Sequence, residues 1–182
     1  HKGEEEFCLS AHLEIKKKIN NIITVIAPRH VDRSFEIKKI CEKYNLKSQI
    51  LNLNDNIIED KEIIIINSYG VLINFFKNTK SVFMGKSTIR KLKHDGGQSP
   101  IEAAKLGCKI YHGPFIYNFK EVYEILNKNN VSKEVINFQE LANNLISDFK
   151  SNEKKDLEFS KTIENLGKKI LSETLNKINN FL

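Results

Sequence analysis

Short runs of β-branched and apolar residues alternate with stretches of helical periodicity along most of the chain, and this alternation is what most restricts its fold. The runs Ile22–Ala27, Ser48–Leu51, Glu62–Ile66, Ser81–Met84, Lys109–His112 and Val131–Ile136 read as strands, several too uniformly apolar to have a solvated face. Between them, Glu4–Ile19 repeats Phe7, Cys8, Ala11, Ile15 and Ile19 at helical spacing, with Glu4, Glu5 and Glu6 in a first turn where the helix dipole favours acids. Ser34–Tyr44 repeats Ile37, Ile40, Cys41 and Tyr44, and shorter helices are expected over Gly70–Asn78, Ser99–Leu106 and Asn118–Asn127. Strands separated by single short helices must run parallel through right-handed crossovers. The expectation is an α/β fold of three αβα layers with a mostly parallel sheet. Two helices without an intervening strand, Phe138–Lys150 and about Lys155–Phe181, close the chain. The last carries Phe159, Ile163, Leu166, Ile170, Leu171, Leu175 and Ile178 on one side, as core packing requires.

A parallel sheet gathers ligands at the carboxyl ends of its strands. The segments that fall there are Pro28–Arg33, Asn67–Gly70, Gly85–Gly97 and Gly113–Asn118, and they hold the unusual residues. Gly96 and Gly97 admit close backbone approach by a ligand. Ser99 is suited to cap the following helix and Pro100 to fill its first turn, which aims free N–H groups at the glycines and favours phosphate. Glu102, on that first turn, suits the paired hydroxyls of a ribose. Arg29, just past a buried strand, offers a fork for bidentate phosphate contacts. Together these residues describe a nucleotide site.

Other chemistries find less support. Gly85-Lys86-Ser87-Thr88 resembles the end of a P-loop, but the glycine such a loop needs five residues earlier is Lys80, so a complete phosphate cradle cannot form. His1, His12, His30, His94 and His112 have no zinc-site spacing, and no metal is expected. No serine or cysteine sits on a nucleophile elbow. Cys8, Cys41 and Cys108 read as buried free thiols. No apolar run approaches the length of about 20 residues needed to span a bilayer. The net charge of +6 is spread along the chain and does not require nucleic acid.

Taken in order, the motifs resemble the C-terminal half of the bacterial 3-deoxy-D-manno-octulosonic acid (Kdo) transferases of lipopolysaccharide synthesis, which have the two-domain GT-B glycosyltransferase architecture. The resemblance begins at His1-Lys2-Gly3-Glu4-Glu5-Glu6, similar to a Thr-His-x-Gly-Glu-Glu motif, and runs through Ala27-Pro28-Arg29-His30, Arg33 and Asn67-Ser68-Tyr69-Gly70. It continues in Phe83-Met84-Gly85-Lys86-Ser87, Gly96–Glu102, Leu106-Gly107, Gly113-Pro114 and Asn118-Phe119. Departures are specific: Lys86 stands where the family usually has glycine, Gln98-Ser99 where it has His-Asn, Val71 where it has glutamate, and Ala103 where it often has proline.

The resemblance implies a Rossmann-like, donor-binding domain over residues 1–182, with the N-terminal acceptor domain, its membrane anchor and its general base outside this sequence. It implies CMP-Kdo as donor, a lipid A precursor as acceptor, and a parent enzyme at the cytoplasmic face of the inner membrane. Alone, the domain is expected to be soluble and inactive. Carried over by motif, Arg29, the N–H groups around Gly96, Gly97, Gln98 and Ser99, and Gly85 with Ser87 face phosphate. Glu102 holds the ribose, Pro28, Tyr69 and Gly70 border the base, and Asn118 reaches phosphate or Kdo. The alternatives are another GT-B enzyme, such as a UDP-sugar transferase or epimerase, or a non-catalytic nucleotide-binding module. A preference for UMP over CMP, or the lack of an N-terminal partner half, would select them.

Overall fold

The computed structural model describes residues 1–151 together with Ser160, Lys161, Ile163, Glu164, Asn165, Lys168, Ser172 and Leu175. The strands are β1 (Thr24–Ile26), β2 (Ser48–Leu51), β3 (Ile63–Ile66), β4 (Ser81–Met84), β5 (Lys109–His112) and β6 (Ser132–Glu134). The helices are α1 (Glu4–Lys16), α2 (Ser34–Lys43), α3 (Leu72–Asn78), α4 (Ile101–Lys105), α5 (Lys120–Lys128) and α6 (Phe138–Lys150). Every strand pairing is parallel, as the crossovers demand. The ladder is divided, however, into two three-stranded sheets, ordered β1-β3-β2 and β4-β5-β6. In the first, β3 is central and all four isoleucines of its run are buried, which accounts for a strand with no polar face.

Helix α1 joins the two sheets. On one side Leu9 packs with Ile37, Cys41, Ile63 and Ile65, with Leu13 alongside. On another, Ala11 and Ile15 pack with Tyr111, Val135 and residues of α6. A single apolar stripe was expected here, and the helix instead buries two. Even its polar His12 is buried, with Nδ1 at 2.9 Å from the Thr24 hydroxyl of β1. The opposite face of the second sheet is closed by Phe76, Ala103, Ala104, Cys108, Ile110, Tyr123, Leu126 and Ile163. Most of the closing helix's expected span, Lys155–Phe181, lies outside the described residues; of its apolar side Ile163 is buried, as core packing requires, but Leu175 is 50% exposed.

Two local differences have clear causes. Helix α4 begins at Ile101 with Pro100 as its N-cap and no side-chain capping bond, so Ser99 is not the cap it was expected to be. Proline already supplies a helical φ and has no N–H to satisfy. The helix ends after one turn in a Schellman arrangement, with Gly107 left-handed and the Gly107 and Cys108 N–H groups donating to Ala104 and Ala103 carbonyls.

At the amino ends of β4 and β5 a polar cluster holds α6 down. Asp148 accepts from the Tyr111 hydroxyl at 2.7 Å, the Ser81 hydroxyl at 2.7 Å and Lys109 Nζ at 3.0 Å. Lys80 Nζ donates to the Asp148 and Ser151 carbonyls.

Candidate functional site

Four loops leave the carboxyl ends of β1, β3, β4 and β5, and the two from the second sheet are interlocked. Ser87 accepts from the Phe115 N–H at its carbonyl (2.9 Å) and from the Gly113 N–H at its hydroxyl (2.8 Å). Gly97 N–H donates to the Lys86 carbonyl at 2.6 Å, and Asn118 N–H to the Gly96 carbonyl at 3.0 Å. The Tyr123 hydroxyl, from α5, donates to the Gln98 carbonyl at 3.1 Å. These bonds leave the N–H groups of Gln98 and Ser99 without an acceptor among the described residues.

Beneath this wall lies a carboxylate. Glu4 is 2% exposed, and its two oxygens accept from the backbone N–H groups of Lys86, Ser87 and Thr88 and from the Thr88 hydroxyl. Burial pushes its pKa up, but the backbone donors of Thr88, Lys86 and Ser87 and the Thr88 hydroxyl pull harder, so the carboxyl lies below its ordinary value. Consecutive N–H groups converging on one anion form a nest, the arrangement by which loops hold phosphate. Here the anion is the chain's own.

The other wall is tied to the same helix turn. Glu5 is 4% exposed and accepts from Arg33 Nη1 at 2.7 Å, while Arg33 Nε reaches Glu36 at 3.2 Å. Ser34 bonds Asn67 at 3.1 Å, joining the loop after β1 to the loop after β3.

Several expected residues stand where a ligand could meet them. Arg29 is exposed and makes no hydrogen bond or ion pair among the described residues. Tyr69 is 71% exposed, Gly70 is open, and Pro28 is half-buried. Glu102 is exposed and 3.5 Å from Lys105. Gly96 and Gly97 are buried, Gln98 half-buried and Ser99 exposed.

Others are committed internally. Ser87 has no exposed surface, and its hydroxyl donates to the Met84 carbonyl while accepting from Gly113, so it does not face phosphate as expected. Gly85 lies against Glu4: a Cβ there would sit 3.0 Å from Oε2. Lys86 pairs with Asp95 at 3.0 Å, and Asn118 Nδ2 donates to the same aspartate at 3.0 Å. The Asn118 carboxamide, then Lys86, hold the Asp95 carboxyl below its ordinary value. Asn118 is thus a tie between loops.

Sequence reasoning missed Glu4, Glu5 and His112. By sequence the acids are first-turn residues suited to the helix dipole and part of the opening motif, with no expected place in the site. His112 is fully buried, with Nδ1 2.8 Å from the Gly113 carbonyl and its ring 4.3 Å from that of Tyr123. Burial lowers its pKa and favours the neutral ring. Among the described residues, no three His, Cys, Asp or Glu side chains gather as a metal site.

Lys86 adopts φ +58°, in the left-handed region. A non-glycine residue there is strained by roughly 1 kcal/mol, and its partly exposed pair with Asp95 returns little. Lys86→Gly is therefore expected to raise the unfolding free energy by about 0.5 kcal/mol or more, read from the midpoint of a urea titration. A lower midpoint would mean that the lysine side chain matters more than its backbone.

No protein-family profile matches the chain. The chain is 27% identical, over 187 aligned positions that take in its whole length, to a 3-deoxy-D-manno-octulosonic acid transferase of Rickettsia prowazekii. It is 25% identical over 145 residues, 80% of the chain, to the transferase of that name from Aquifex aeolicus. It spans about two fifths of the length of these relatives, 40% and 38% respectively. The C-terminal CMP-Kdo binding domain of WaaA from Acinetobacter baumannii has the same fold, with a TM-score of 0.79 over 90% of this chain and 84% of that one at 19% identity. The resemblance carried by the motifs thus extends over the whole chain, and the fold is Rossmann-like, as in the C-terminal half of a GT-B glycosyltransferase.

Proposed function

We propose that this chain is the donor-binding half of a glycosyltransferase that moves Kdo from CMP-Kdo to a lipid A precursor in lipopolysaccharide biosynthesis. The observation that carries the reading is the interlocked wall, which presents the Gln98 and Ser99 N–H groups one turn before an exposed Glu102. N–H groups suit a phosphate, and a carboxylate suits the ribose hydroxyls beside it. The likeness, over this chain's whole length, to part of enzymes named Kdo transferases supports the donor's identity. In this reading Arg29 meets the CMP phosphate, and the N–H groups stabilise its charge as the glycosidic bond breaks. Pro28, Tyr69 and Gly70 border the cytosine.

The general base and acceptor surface belong to an N-terminal domain of the same polypeptide, so this domain alone is assigned no transfer activity. No metal is assigned to the donor site. The parent enzyme is placed at the cytoplasmic face of the inner membrane. Among the described residues no helix is long and apolar enough to cross a membrane, so this reading leaves anchoring to the other half.

Titration of the isotopically labelled domain with CMP is expected to shift the amide signals of Arg29, Gln98, Ser99 and Glu102, with UMP weaker. No response at millimolar CMP would overturn the reading. In the full-length enzyme, Glu102→Ala and Arg29→Ala are each expected to lower kcat/KM by at least about 30-fold, about 2 kcal/mol. Near-normal turnover of either variant removes that residue from the site.

A further inference from the structure

Glu4 and Glu5 are sequence neighbours in the first turn of α1, yet they grip opposite walls of the cleft. Glu4 holds the turn after β4, and Glu5 holds Arg33 after β1. The two sheets that carry these walls share no ladder among the described residues. At the ligand-binding end, the first turn of α1 therefore fixes one wall against the other.

The grip of Glu4 passes on to the glycine loop. Its carboxylate gathers the N–H groups of residues 86–88, which turns the carbonyls of Lys86 and Ser87 the opposite way. Those carbonyls then receive Gly97 and Phe115. Gly97 directly precedes Gln98 and Ser99, whose N–H groups have no acceptor among the described residues. Gly85 fits the same account. It is not among the left-handed glycines, so backbone conformation does not require glycine there. The contact is tight instead: a Cβ would stand 3.0 Å from Glu4 Oε2, so a larger residue would ask the hydrogen-bonded carboxylate to shift by a few tenths of an ångström.

We propose that Glu4 is a positioning residue of the donor site: its carboxylate occupies the nest at residues 86–88 in place of a phosphate, and so sets the place of the N–H groups that receive the nucleotide. Gly85 is the residue that admits it. Donor phosphate then binds outside the nest, which is why the P-loop-like string Gly85-Lys86-Ser87-Thr88 has no part in holding it. The inference rests on the proposed donor site, and its test separates the two.

Glu4→Gln keeps size and shape but turns one acceptor oxygen into a donor facing N–H groups. It is expected to weaken CMP binding about tenfold or more, the usual effect of losing a charged hydrogen bond, while far-UV circular dichroism stays unchanged. A dissociation constant within about twofold of wild type, in a folded variant, overturns the positioning role. Should Glu4→Gln fail to fold, Thr88→Val removes one of the four bonds and Thr88→Ser restores it. Weakened CMP binding in the valine variant that serine recovers supports the role, and equal binding in both overturns it.

The spectroscopic signature is independent of ligand. The other titratable group beside Glu4 is the Cys8 thiol of α1, whose pKa burial and then the Glu4 charge raise, while the Lys86 ammonium is turned to Asp95 and the Glu5 carboxylate to Arg33. Because its folded pKa is lowered, the contribution of Glu4 is complete above the ordinary value of 4.5 and is lost as pH falls through the folded value. The Ser87 and Thr88 amide protons are expected to move together in that acid range in wild type and to stay still in Glu4→Gln. Identical profiles overturn the clamp. If wild type binds no CMP, the donor-site reading fails, and these amide profiles still decide whether Glu4 holds the loop.

Discussion

Asp148→Ala is expected to lower the unfolding free energy by about 3 kcal/mol, the scale set by breaking a buried, hydrogen-bonded charge cluster. Asp148 is 6% exposed and sits near the end of α6, where it accepts from Tyr111, Ser81 and Lys109. Lys109 is 43% exposed at its side chain and regains water when the carboxylate goes, so its share of the loss is small. Tyr111 is 1% exposed and has no such recourse. Its hydroxyl, whose pKa burial and then Asp148 both raise, is left as a buried donor with no acceptor. Urea unfolding measures the loss, and Tyr111→Phe supplies the control. In the phenylalanine background the same Asp148→Ala change is expected to cost about 1 kcal/mol less, since no orphaned hydroxyl remains. Equal losses in both backgrounds would assign the effect to Ser81 and Lys109. The cluster lies at the amino ends of β4 and β5, across the sheet from the cleft, so CMP affinity per folded molecule should not change.

Where a residue's partners lie near it in the chain, sequence pattern found its role. The isoleucines of β3 form an uninterrupted apolar run because a central strand with both faces covered tolerates nothing else, and α6 was legible to both ends from its periodicity. The role of Glu4, though the residue stands in the opening motif, was not legible for the opposite reason. Its partners are 82 to 84 residues away, and nothing in a first-turn acid announces that a distant loop will close over it. The division of the sheet was hidden in the same way, since strand runs predict strands but not which neighbours share a ladder. Ser99 shows a different failure. Both it and Pro100 are good residues for a helix start, and in the structure Pro100 takes the N-cap place while Ser99 remains exposed outside.

Glycine produced the most instructive error, and it separates two expected outcomes. Gly70 and Gly96 both read as places where a ligand meets bare backbone. Gly70 has φ +81° and nothing within 4 Å of a would-be Cβ, so Gly70→Ala is expected to cost only the strain of a left-handed alanine, about 1 kcal/mol. At Gly96 a Cβ would lie 2.3 Å from the Phe115 carbonyl oxygen and 2.8 Å from that of Leu92. Those are backbone atoms, fixed in turn by the Phe115 N–H on Ser87 and the Asn118 N–H on Gly96 itself. No rotamer change relieves the overlap, so the loop over residues 113–118 must leave the glycine loop or the chain must unfold. Gly96→Ala is therefore expected to destabilise by at least about 3 kcal/mol, above the usual range for overpacking because the neighbour is main chain. Thermal and urea unfolding of the two variants side by side provide the test. A loss at Gly96 no greater than that at Gly70 would mean that the two loops of this wall, after β4 and β5, are not interlocked as described. The expected ordering assigns Gly96 to the joint between two loops, and leaves the open face of the cleft to Gly70 and the N–H groups of Gln98 and Ser99.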